Sequence, residues 1–235
     1  IGMAEEGLDF EGDDLNEMTD PVSPHLRGLD AINPVNKSFP EAVDAGITTV
    51  VTGPGSANAI SGQFCAVKTY GKRVDKMILR EPVAMKFALG ENPKKVYNDK
   101  SETPMTRMAT AAIIRENLAK AQEYARKLER AEQDEDEEKP DYDAKLEALL
   151  PVVRGELPVH IHAHRADDIL TSIRIAREFG VKLTLDHCTD GALIADELAE
   201  EGLPAFVGPT FGGKSKIELI NKSFDTPKVL REAGV

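Results

Sequence analysis

The chain has 235 residues, 41% of them hydrophobic and 30% charged, with a formal net charge of −12. This is globular composition rather than disorder, and the length suits a single α/β or barrel-type domain. The acidic balance excludes the basic footprint that binding to nucleic acid or an acidic membrane surface needs.

No apolar run reaches the roughly 18 residues of a membrane span. The stretch Ile1–Glu6 lacks the basic-then-apolar pattern of a signal peptide. Two cysteines, Cys65 and Cys188, make no disulfide framework, so a reducing, cytoplasmic compartment is expected.

Residues 1–45 are rich in Asp, Asn, Pro and Gly and read as loops with short helical pieces. Ser38 is the predicted N-cap of one such piece, and Gly46 its C-terminal stop. Ile47-Thr48-Thr49-Val50-Val51-Thr52 is a continuous β-branched run, which predicts a strand buried on both faces. Further strands are predicted at 66–70 and 83–89. From Thr103, a plausible cap, to about Ala131 the period becomes helical, with Ile114, Leu118, Ala121, Ala125 and Leu128 on one stripe. The acidic run 132–138 reads as a solvated loop, and 141–150 as a short helix.

After Pro158 the rhythm is regular. Strands are predicted at 159–163, 182–185 and 204–207, with helices at 166–179, 192–201 and 226–233 between and after them. Gly180, Gly202 and Gly234 serve as helix stops. Alternation with short turns predicts parallel strands joined by right-handed crossovers. The fold class is therefore α/β of the (β/α)8 TIM-barrel type. It is read as one partial domain over 1–235, with a helical and acidic insertion around 103–150.

Four of the five histidines lie between His160 and His187. His160, His162 and His164 alternate along one predicted strand and so share a face. His187 ends the next strand. Adjacent parallel strands lie about 4.8 Å apart, so these imidazoles are placed to share one divalent metal ion or two close ones. His160, deeper in the strand, is the weakest of the four, and His25 is unassigned.

Lys86 stands in an apolar strand, Val83-Ala84-Met85-Lys86-Phe87. It is read either as a snorkelling lysine or as a group lining the metal site, carbamylated so as to present a carboxylate. Glu91, after Gly90, is a further ligand or acid/base candidate. Gly53-Pro54-Gly55-Ser56-Ala57-Asn58 lacks a phosphate-loop signature and reads as a tight turn, in which Ser56 and Asn58 are substrate-contact candidates. Arg165, beside His164, is a third. Asp167 and Asp168 are expected to serve the helix dipole rather than a metal. Cys188 is expected to be a packed thiol rather than a nucleophile.

Three stretches together resemble the amidohydrolase superfamily, in particular its imidazolonepropionase-like branch. They are Glu17–Arg27, Ala45–Val50 with Pro54–Asn58, and Ile161-His162-Ala163-His164-Arg165-Ala166-Asp167-Asp168-Ile169. The resemblance implies a (β/α)8 barrel holding one or two divalent metals, zinc first, iron or manganese otherwise. It implies His162 as the fifth-strand ligand, with His164 competing for that role or supporting it. It further implies His187 as the sixth-strand ligand or substrate contact, and Lys86 as the fourth-strand ligand. The family's first-strand His-x-His and last-strand Asp have no counterpart here. The chain is therefore read as a barrel lacking its first and last strands, expected to be inactive by itself.

The expected activity is hydrolysis of a C–N bond in an amide, cyclic amide or small peptide, with His187 and Lys86 in catalytic roles. The expected partners are a small-molecule substrate and a second copy of the chain. Two alternatives stand beside it: a non-catalytic barrel-derived subunit, and an aldolase-type barrel using Lys86 as a Schiff-base amine.

Overall fold

The computed structural model describes all residues, Ile1–Val235. Six strands form one sheet in chain order. They are β1 (Thr49–Thr52), β2 (Ile60–Lys68), β3 (Ile78–Ala88), β4 (Val159–Ala163), β5 (Leu183–His187) and β6 (Ala205–Val207). The sheet curls into half of a barrel. Seven helices accompany it: α1 (Ser38–Asp44), α2 (Glu91–Asn98), α3 (Arg107–Gln133), α4 (Ala144–Val153), α5 (Ala166–Phe179), α6 (Ala195–Glu201) and α7 (Thr226–Ala233).

From β3 onward the pairing is parallel, as the strand–helix alternation predicts. The first part of the sheet departs from that expectation. β2 is antiparallel to both β1 and β3, and residues 66–68 are its last three rather than part of a separate barrel strand. The connections 53–59 and 69–77 carry no α-helix and are shorter than the dozen or so residues a parallel crossover needs. β1 also corrects the sequence reading. It is an edge strand paired only with β2, and Val51 is 59% exposed.

Helix boundaries follow local capping chemistry. Thr106, not Thr103, caps α3 by accepting the Ala109 N–H at 3.1 Å. Ser38 lies inside α1, and its N–H is taken by Asn36 Oδ1 at 2.9 Å. Asp143 caps α4 by accepting the N–H groups of Lys145 and Leu146. Gly180 and Gly202 end α5 and α6 at φ 67° and 61°, left-handed positions that suit glycine.

The outward residues of the parallel strands, including Met85, Phe87, Val159, Ile161, Leu183 and Leu185, pack with the buried stripes of α3, α4 and α5 into the main core. A smaller core of Met3, Leu29, Ile32, Phe39, Cys65, Val67 and Met77 sits beneath β2. The helices thus cover one face of β3–β5, and the opposite face carries polar residues. Ile161, 2% exposed, anchors β4 to the helical layer. Ile161→Ala is expected to lower the urea unfolding midpoint, by about 2–5 kcal/mol of stability. An unchanged midpoint would show that β4 is not held from this side.

Candidate metal centre

Alternation along β4 sends Ile161 and Ala163 into the core and His160 and His162 to the inner face, with His164 just beyond the strand end. In the parallel register His162 faces Asp186 and Ala163 faces His187. Regular pleating would therefore turn His187 away from His162. It does not, because His187 and Cys188 have φ of 73° and 47°. The Cys188 N–H donates to Asp186 O and Ala163 O, each at 3.1 Å. The first of these bonds closes a γ-turn centred on His187, a strained conformation for a side-chain-bearing residue, costing about 1–3 kcal/mol. The turn brings the His187 ring to 4.5 Å from that of His162 and 4.4 Å from that of His164, between centroids. The His162 and His164 rings are 4.7 Å apart.

Each of the three imidazoles offers a ring nitrogen within 4.8 Å of those of the other two. Their outer nitrogens are largely committed. His187 Nδ1 lies 2.6 Å from Gly208 O, a partner that only accepts, so Nδ1 carries the proton and Nε2 keeps a lone pair. His164 Nδ1 meets Thr189 Oγ1 at 2.7 Å. His162 is 3% exposed, and its Nδ1 is buried with no hydrogen-bond partner. Two rings anchored at one nitrogen and a third with an orphaned one form a donor set that fits a divalent ion of the zinc type.

Burial lowers all three basicities. His162 falls to about 4, with Glu218 opposing, and His164 to about 3, aided by His162 and His187. His187 is lowered by burial against the pull of Asp186. At neutral pH the rings are neutral and able to donate a lone pair.

Two carboxylates flank them, Asp186 half-buried and Glu218 buried. Asp186 accepts from Lys86 Nζ at 2.8 Å and lies 3.3 Å from His160 Nε2 and 3.4 Å from His187 Nε2. Burial pushes its pKa up, but His160, Lys86 and His187 together hold it well below the usual range. Glu218, 1% exposed, accepts from Lys216 Nζ at 2.7 Å and from the Glu91 N–H at 2.9 Å. Its Oε1 lies 3.8 Å from His162 Nε2 and 3.7 Å from His164 Nε2, in ionic rather than hydrogen-bonding range.

Lys86 is 4% exposed, so it does not snorkel; burial lowers its pKa against the pull of Asp186. His160 bonds Thr184 Oγ1 through Nδ1 and stays outside the trio. Ser56 reaches the site indirectly. Its Oγ accepts from Asn92 Nδ2 at 3.0 Å, and that same nitrogen lies 3.3 Å from His162 Nε2.

Asn58 is 2% exposed, with its amide engaged by Glu17 O, Ser23 Oγ and the Tyr97 hydroxyl, so it braces the loops. Arg165 pairs with Asp167 through two hydrogen bonds, at 3.0 and 2.8 Å. The N-terminus of α5 is met by Asp190, which accepts the Ala166 N–H, while Asp168 is held by Arg107 at 3.0 Å. Glu91 contributes its backbone N–H. His25 is exposed on a separate cavity of about 820 Å³. Burial pushes the Cys188 thiol up to about 12, which suits a packed thiol.

Sequence reasoning missed Asp186, Glu218, Lys216 and Asn92 as site residues. Asp186 adjoins His187 and was within reach of local reading. The segment Lys216-Ile217-Glu218-Leu219 alternates charged and aliphatic residues like a surface strand and carries no local signal.

No family model matches the chain. It is 27% identical over 221 residues to Amidohydrolase tasK of Hapsidospora irregularis, an alignment covering 86% of this chain and 22% of that protein. The crystal structure of an amidohydrolase from Thermotoga maritima MSB8 superposes with a TM-score of 0.97 at 42% identity, over 100% of this chain and 61% of that one. The chain thus spans about a fifth of the curated relative and three-fifths of the solved structure. Both proteins to which the chain is similar are named amidohydrolases, and the imidazole cluster could hold a metal ion.

The lowered imidazole basicities give the fold a pH dependence. Unfolding returns His162 and His164 to about 6.5, so below that pH the unfolded chain binds protons that the folded chain refuses. Stability is full above about pH 6.5 and is lost as pH falls toward about 4. In chelator-treated protein the urea midpoint should fall between about pH 7.5 and pH 5, and the double variant His162→Gln, His164→Asn should flatten that slope. Identical slopes in the two proteins would refute the assignment.

Proposed function

We propose that this chain forms the core of a metal-dependent amidohydrolase that hydrolyses a C–N bond in a small amide, cyclic amide or short peptide. We further assign it to the (β/α)8 barrels of the imidazolonepropionase-like branch. The observation that carries the reading is the convergence of His162, His164 and His187, each with a ring nitrogen within 4.8 Å of the others. The likeness to two amidohydrolases supports it.

His162, His164 and His187 would hold the ion, zinc by preference and iron or manganese otherwise. A divalent ion held there supplies a Lewis acid that polarises the scissile carbonyl and acidifies water. The chain's own residues prepare that chemistry. Burial keeps the three rings unprotonated, so donation requires no proton release at neutral pH. Gly208 O fixes the His187 tautomer so that Nε2 faces the cluster. Asp186 holds Lys86 and touches both His160 and His187, giving the inner wall a carboxylate that stays ionised. Lys86, as the free amine or as a carbamate, is assigned to the same wall. Ser56 is assigned to the substrate side, and so is Arg165, whose guanidinium pairs with Asp167 beside His164.

The test is metal content. Purified protein should carry near-stoichiometric zinc, iron or manganese, lose it to a chelator and take it up again. His162→Ala and His187→Ala should each weaken uptake by at least about tenfold. Any hydrolysis of N-acyl amino acids, dipeptides or cyclic amides by a protein that contains this chain should follow metal occupancy. A folded protein that takes up none of these metals would instead support the non-catalytic subunit.

A further inference from the structure

Glu218 lies on a short 3₁₀ turn, Ile217–Leu219, in the segment between β6 and α7. Its neighbours Ile217 and Ile220 are 75% and 64% exposed, yet its own carboxylate is 1% exposed. The turn leaves Ile217 in water and drives a charge inward beside buried Leu219. A buried carboxylate is tolerated only when its acceptor sites are filled. Here Lys216 Nζ and the Glu91 N–H fill them, both beside the imidazoles.

The arrangement extends to His162. Lys216 Nζ also donates to Asn92 Oδ1 at 2.7 Å. That bond settles which way the Asn92 amide points, because the oxygen must face the lysine. The Asn92 Nδ2 is thereby aimed at Ser56 Oγ and His162 Nε2. Glu218 holds Lys216, Lys216 holds Asn92, and Asn92 meets the ring.

The backbone is shaped to admit this carboxylate. Gly90 has φ 87°, and a Cβ there would stand 2.8 Å from Glu218 Oε2 and 3.1 Å from Asp168 Oδ2. Any larger residue at Gly90 would be strained and would displace Glu218.

We propose that Glu218 is a positioning residue for the imidazole cluster, acting on His162 and His164 through the charge of its carboxylate at 3.7–3.8 Å and on the hydrogen bonding of His162 through Lys216 and Asn92. The inference deepens the metal-site reading, and its consequence for affinity rests on that reading. Its consequence for the rings does not. A simple structural anchor would tie the loop down without touching the rings; the contacts of Oε1 with both Nε2 atoms distinguish the two roles.

The experiment records the imidazole ¹⁵N resonances of metal-free protein near pH 7.5 in wild type, Glu218→Gln and Lys216→Met, with thermal midpoints and zinc affinities by chelator competition. Glu218→Gln keeps the size of the side chain and removes its charge. It should leave the thermal midpoint within a few degrees, shift the ring nitrogens of His162 and His164 but not of exposed His25, and weaken zinc binding about tenfold. Lys216→Met, at a partly exposed position, should move the same resonances and decides the matter if Glu218→Gln does not fold. Unmoved ring resonances in the folded variants would overturn the proposal even if zinc binds. Shifted resonances in a protein that takes up no zinc would uphold the role of Glu218 and sink the metal reading.

Discussion

The γ-turn at the end of β5 is the constraint on which the site depends. A regular strand sends consecutive side chains to opposite faces, so Asp186 and His187 could not both serve one side of the sheet. The positive φ values at His187 and Cys188 break that alternation, and the Cys188 N–H holds the break by bonding both β5 and β4. The result is one strand end that delivers a carboxylate and an imidazole to neighbouring positions. Backbone strain of this kind persists only where the surroundings over-determine it. The buried Cys188 and the Gly208 carbonyl on the His187 ring supply that determination.

Around this turn the charges are arranged in two lysine–carboxylate pairs with the neutral imidazoles between them. Lys86 with Asp186 is deep, joining β3 to β5. Lys216 with Glu218 is carried by the segment after β6. Each pair keeps its carboxylate ionised in a place where burial alone would neutralise it. Each carboxylate also lies within ionic reach of one or two of the clustered rings. The rings are thus held unprotonated by desolvation while anionic neighbours stay close, a setting that favours a cation in their midst.

Legibility in the sequence followed the range of the interaction. His160, His162 and His164 were readable because a period of two on a strand is a local rule. Gly180 and Gly202 were readable as helix stops for the same reason. Lys86 stood out because a lysine in an apolar run demands a partner, although its partner, Asp186, lies a hundred residues away. Asn58 looked available from its loop position, but the fold buries it and engages its amide with Glu17, Ser23 and Tyr97. Glu218, Lys216 and Asn92 gave no local sign, since their value comes from the segment after β6 meeting the start of α2, more than a hundred residues away in the chain. The antiparallel course of β2 was hidden as well. The run 47–52 has the composition of a buried strand, and only its place at the sheet edge leaves it exposed.

The sequence by itself determined the α/β alternation after Pro158, the shared face of the β4 histidines, and the presence of a fourth histidine at the next strand end. These follow from periodicity, turn chemistry and strand length, which act over a few residues. The tertiary structure alone decided which imidazoles meet, which carboxylates stand beside them, and that β2 reverses direction. Those outcomes depend on the γ-turn at His187, on connection lengths, and on how buried charges find partners across the sheet, none of which a local pattern encodes.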